Sequence, residues 1–186
     1  MSIHLAGGFA DTASDAARGF RAIMQAMARP GTIHQVAGAA PPAPLSPAAG
    51  VVLLTLCDRT TPLFLGPSHD TDALRDWITF HCAAPFCDAG DAMFALGDWA
   101  SLQPTDRFAI GTPEYPDRAA TLIVELPALS ADGATLTGPG IRDAASLSLP
   151  DPATFNANHA RFPLGWDAIL TSGDQLAALP RSTEVR

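Results

Sequence analysis

The stretch from Ala48 to Cys57 is the longest strongly apolar run in the chain, and Val51, Val52, Leu53, Leu54 and Leu56 leave it almost no polar face. Ser46-Pro47 stands directly before it, a helix-opening pair with serine as cap and proline at the first helical position. A helix that is apolar on nearly every side is stable only when other elements cover it. The run is too short to cross a bilayer, which takes about 20 residues, so the protein itself must provide the cover. A chain of 186 residues can bury such a core, and the expectation is a single domain over 1–186.

The segments around this helix alternate in character. Asp15 to Ala28 reads as a helix, with Phe20, Ile23, Met24 and Met27 at i, i+3, i+4 and i+7 as its apolar stripe and Ser14 as its cap. Pro30-Gly31 ends it, and Thr32 to Val36 reads as a short strand. The Pro/Ala segment from Ala39 to Pro47 reads as an ordered surface loop. Thr61 to Leu65 looks like a strand, and Asp70 to Ala83 like a helix with Leu74, Trp77, Ile78 and His81 on one face. Strands are expected at Met93 to Leu96, Ala119 to Leu126 and Thr135 to Thr137, with a helical turn at Trp99 to Leu102. Asp151 to Ala160 reads as helical. Ala168 to Thr171 and Leu176 to Leu179 form a hairpin across Ser172-Gly173-Asp174. Strands and helices interleave, which indicates α/β or α+β architecture with a mixed sheet and flanking helices in three layers.

Composition excludes several chemistries. The chain contains no lysine; all 11 basic residues are arginines. It can form neither the Schiff base of a pyridoxal phosphate enzyme nor the lysine contacts of a Walker loop or a protein-kinase site. The net charge is −8 and the arginines are scattered, so nucleic acid and anionic membrane surfaces are not expected partners. Only 16% of residues are charged, against roughly 25% in ordinary soluble domains. That shortage points to surfaces covered by a partner. No signal peptide is visible, and three cysteines make no disulfide framework, so the expected compartment is the cytoplasm.

Three places could carry chemistry. The first is Leu136-Thr137-Gly138-Pro139-Gly140-Ile141, a narrow turn after a strand. Its backbone N–H groups could hold an anion, although Pro139 offers none, and a rigid corner explains the same glycines. The second is Gly111-Thr112-Pro113, a phosphate turn or a plain one. The third is His81 beside Cys82, but successive helical residues point about 100° apart, which favours a core or interface histidine over a dyad. His4, His34, His69 and His159 show no ligand spacing, and no GxSxG elbow exists. No catalytic, cofactor or metal set emerges. Thr137, Gly138, Gly140, Gly111, Thr112 and His81 remain candidate ligand positions.

Several strings occur together in order. They are Phe20-Arg21-Ala22-Ile23-Met24, Arg29-Pro30-Gly31-Thr32, Val52-Leu53-Leu54-Thr55-Leu56 and Thr61-Pro62. They continue with Phe80-His81, Gly111-Thr112, Leu136-Thr137-Gly138-Pro139-Gly140-Ile141, Phe162-Pro163-Leu164-Gly165-Trp166-Asp167 and Leu179-Pro180-Arg181-Ser182-Thr183. The set resembles the PhnH family, subunits of the bacterial carbon–phosphorus lyase system. The resemblance implies a fold like that of type I pyridoxal phosphate transferases without the cofactor. It implies a homodimer that joins a core complex with the G, I and J subunits. It also implies a part in forming alpha-D-ribose 1-methylphosphonate 5-triphosphate from ATP and methylphosphonate, with no catalysis by the chain alone. It assigns no catalytic residue. A free-standing small-molecule enzyme and a purely scaffolding remnant of an enzyme fold remain the alternatives.

Overall fold

The computed structural model describes residues 5–186; His4 lies outside them. The buried-helix expectation holds. The helix α2 (Pro47–Leu56) is capped by Ser46, whose side chain accepts from Ala49 N, and Ala48 through Leu53 are buried. Around it stand α1 (Thr12–Ala28), β1 (His34–Gln35), β2 (Leu63–Leu65), α3 (Asp72–His81), β3 (Phe94–Asp98) and β4 (Thr121–Glu125). The chain continues through β5 (Ala134–Thr137), β6 (Ala145–Leu147), α4 (Pro152–His159), β7 (Asp167–Ser172), β8 (Gln175–Leu179) and β9 (Glu184–Val185).

Six strands form a mixed sheet in the order β1-β8-β7-β4-β3-β2. The four strands β2, β3, β4 and β7 are parallel, and β8 and β1 extend the sheet antiparallel. Parallel strands are covered on both faces, so their residues are buried whichever way they point. Leu63, Leu96, Ile123 and Ile169 meet α1, α2 and α3 on one face. Leu122, Val124, Ala168 and Leu170 meet a different layer on the other. That second layer holds α4 through Phe155, and the small antiparallel sheet β6-β5-β9 through Leu147, Leu136 and Val185. The result is a six-stranded mixed sheet with flanking helices, in which the second layer is only partly helical. The predicted hairpin forms as β7–β8, with Ser172 paired to Gln175 across a two-residue turn.

Two helix expectations need correction. The cap of α1 is Asp11, not Ser14: the Asp11 carboxylate accepts from Ser14 N, and the helix starts earlier than the apolar stripe suggests. The stripe itself splits. Ile23 is buried with Asp15, Gly19 and Ala26, whereas Phe20 and Met24 are 52% and 48% exposed. Small residues at Gly19 and Ala26 let α1 sit close to its neighbours; a Cβ at Gly19 would come within 2.9 Å of Val51. The close face is therefore the one with the small side chains. β6 and β9 carry no apolar run that marks them as strands.

Candidate functional site

In open α/β sheets, ligands bind beyond the carboxyl ends of the parallel strands. Here each strand places polar groups at or just after that end. β2 leads to Ser68 and His69, β3 ends on Asp98 and leads to Ser101, β4 ends on Glu125, and β7 carries Thr171. Hydrogen bonds join them. The Glu125 carboxylate accepts from Ser46 N at 2.7 Å and from Thr171 Oγ1 at 3.1 Å. The His69 ring meets Ser68 Oγ through Nδ1 at 2.8 Å, and Ser68 Oγ lies 2.9 Å from Ser101 Oγ. Nε2 of His69 is buried with no hydrogen-bond partner, 4.0 Å from Glu125 Oε1.

Burial sets the electrostatics. It raises Glu125 above the usual carboxylate range, against the opposing effect of the Ser46 and Thr171 donors. It pushes His69 down, against the nearby Asp98 charge. Asp98 is held low, first by the Ser101 backbone N–H. Burial thus disfavours the charged forms of both Glu125 and His69, which stand 4.0 Å apart without a hydrogen bond between them. Ser68 Oγ also accepts from Asp98 N at 3.0 Å, and its neighbour Ser101 fills the space beside two glycines. A Cβ at Gly97 or Gly66 would come within 2.4 or 2.7 Å of Ser101 Oγ. The cluster braces the start of α2 through the bond from Ser46 N to Glu125. The cavities of about 410, 340, 240 and 220 Å³ are lined by other residues.

The positions singled out in sequence lie at the opposite edge. α1 and α3 end where the parallel strands begin: Leu63 N donates to Pro85 O just after α3, and Gly165 N donates to Ile110 O just before β7. Gly138 (φ +133°) and Gly140 (φ +84°) back onto other main chain. A Cβ on Gly140 would stand 2.0 Å from Ala28 O, and one on Gly138 would stand 3.1 Å from Ser182 O. Thr137 Oγ1 donates to Glu184 Oε2 at 3.1 Å, tying β5 to β9. Gly111 (φ +79°) faces Pro116, and Thr112 closes a tight turn with Tyr115 through bonds of 3.1 and 3.0 Å. Arg181 draws the two turns together. Its guanidinium donates to Pro116 O at 2.6 Å and doubly to Asp167, and Ser182 follows against Gly138.

His81 stands apart from both turns. Its Nε2 meets Leu5 O at 3.0 Å, its ring lies tilted against Trp77 and edge-on to Phe80, and Gly8 leaves it room. Cys82 turns the other way: its thiol donates to Leu53 O at 3.7 Å, and burial pushes it up to about 12. The two do not form a dyad. Sequence reasoning missed His69 and Glu125. The available signal was a polar residue closing each apolar strand, but strand direction was needed to put those ends on one edge.

Comparison with known proteins extends over the same chain. A family model described as bacterial phosphonate metabolism protein (PhnH) matches residues 7–186. The alpha-D-ribose 1-methylphosphonate 5-triphosphate synthase subunit PhnH of Rhizobium meliloti (strain 1021) is 42% identical over 190 aligned positions, covering 96% of this chain and 94% of that one. The putative C-P lyase subunit protein HtxG of Stutzerimonas stutzeri is 32% identical over 174 positions, covering 89% of this chain and 83% of the relative.

Proposed function

We propose a function from the premise that this chain belongs to the PhnH family of bacterial phosphonate metabolism proteins. It is a subunit of a carbon–phosphorus lyase core assembly and supports formation of alpha-D-ribose 1-methylphosphonate 5-triphosphate from ATP and methylphosphonate. The observation that carries this reading is the 42% identity to a synthase subunit across 96% of the chain. The cluster at the carboxyl ends of the strands agrees with it. Glu125 braces α2 there through Ser46 N, and no lysine is present to form an aldimine with a cofactor aldehyde.

In this reading the chain is not catalytic alone. It works in the cytoplasm with other core subunits of the G, I and J types, and it is a homodimer in isolation. A stable dimer should bury above roughly 1,000 Å². The layered fold is taken as a scaffold like that of the type I pyridoxal phosphate transferases. The residues present do not fit that cofactor, so no step runs through it. The direct test is turnover. The purified chain with ATP and methylphosphonate should give no ribose phosphonate product. Product from the chain alone would favour a free-standing enzyme instead.

A further inference from the structure

We infer that the outward crest of α1, with the cleft between α1 and the edge strand β1, is the docking surface for an acidic, partly apolar segment of another subunit. The inference rests on the functional reading above only for the source of that segment. α1 is amphipathic twice over. Its inner face carries Ile23 and Ala26 into the core, while Ala13, Ala17, Phe20, Met24 and Ala28 recur on the outer one, all exposed. Nothing in the chain's own fold calls for phenylalanine and methionine on a solvent face. Contiguous exposed apolar residues of this kind mark protein contact.

Beside the crest lie two cavities of about 410 and 340 Å³ that share Arg18 and Ala22. The larger runs from Ala17 past Arg21 and Gln25 to His34 on β1. β1 is a two-residue edge strand, so one side of the cleft is an uncovered sheet edge.

Charge selects the occupant. The chain carries −8 overall, yet the larger cavity is lined by Arg18, Arg21 and His34, and the one carboxylate of the pair of cavities, Asp174, lies on the smaller. Arg18 is engaged by the buried Asp15. Arg21 makes no ion pair or hydrogen bond among the described residues and is exposed, so it is a free cation beside the crest. A second copy of this chain is a poor occupant. Arg21 sits near the middle of α1, and a two-fold contact through this crest would bring Arg21 against its own symmetry mate. A segment with a carboxylate for Arg21 and apolar side chains for Phe20 and Met24 satisfies both features.

The test uses the full chain, co-expressed with the other synthase subunits, in wild-type, Arg21→Glu and Met24→Asp forms. Both positions are exposed, so both variants should melt at the wild-type temperature and keep the wild-type oligomeric state when isolated. Wild type should co-elute with the other subunits, and each variant should lose at least tenfold of that association. Association of the wild type should also weaken with added salt. Variants that co-elute like wild type would overturn the inference and leave the functional reading intact. Variants that lose self-association instead would make the crest a dimer face and overturn the heterologous occupant. Wild type that fails to join the other subunits would overturn both readings.

Discussion

At the scale of single residues, the glycine turn and the buried acid make opposite kinds of demand. Gly140 is fixed by space: at φ +84° its Cα faces Ala28 O, where a Cβ would stand 2.0 Å away. Gly140→Ala should cost roughly 1–3 kcal/mol, since both the left-handed backbone and the main-chain contact oppose it. The turn itself is exposed, but its backbone packs against Ala28 on one side and Pro139 offers no N–H donor. Millimolar methylphosphonate or triphosphate should therefore leave the melting temperature of the isolated wild type unchanged. A ligand-dependent rise lost in the variant would make the turn an anion site.

Glu125 is fixed by charge. Its folded pKa is raised above the ordinary 4.5, so the protonated form contributes stability that is present below that value. This contribution is lost as pH rises through the folded pKa. Glu125→Gln keeps an acceptor for Ser46 N and removes the ionisation. The variant should gain on wild type as pH rises from 4.5 upward, read by chemical denaturation at a series of pH values. A constant difference would show that Glu125 ionises freely in the folded state. His69, shifted down by burial, gives the opposite slope, losing stability as pH falls below its ordinary 6.5. Neither residue was legible as a pair in the sequence, because 56 residues separate them (125 − 69) and only the parallel register of β2, β3 and β4 brings their strand ends together.

At the scale of elements, periodicity located the helices better than it chose their faces. α2 was legible throughout, because a helix apolar on all sides has no face to choose. Leu53, fully buried, should cost about 2–5 kcal/mol when cut to alanine, through lost burial and the cavity left behind. A loss below about half a kcal/mol would contradict the buried placement. α1 was legible as a helix and misread as a surface. Phe20 and Met24 satisfy the i, i+4 rule as well as Ile23 does, and nothing in the pattern says that the tight contact uses Gly19 and Ala26. The consequence is measurable. Phe20→Ala should change stability by no more than about 0.5 kcal/mol, and Ile23→Ala by about 2–5. Comparable losses at both would return Phe20 to the core. β6 and β9 escaped notice because two- and three-residue strands are made by register with β5, not by their own apolar content.

For the molecule as a whole, the mixed sheet was legible from alternation of strand and helix signals, and the β7–β8 hairpin from its turn residues. The order of the strands was not, since β4 pairs with β7 across an intervening small sheet and helix that lie on one face. Low charge and, among the described residues, six large exposed apolar side chains (Phe20, Met24, Phe80, Met93, Tyr115 and Phe162) describe a protein with faces left for others. The central claim is that this chain serves a multi-subunit synthase without being its catalyst. Its most direct test is a subunit-omission assay: the assembled synthase with ATP and methylphosphonate, with and without this chain, followed by phosphorus NMR. Formation of alpha-D-ribose 1-methylphosphonate 5-triphosphate should require the chain and should not occur with the chain alone. Full product formation in its absence, or product from the isolated chain, would contradict the account.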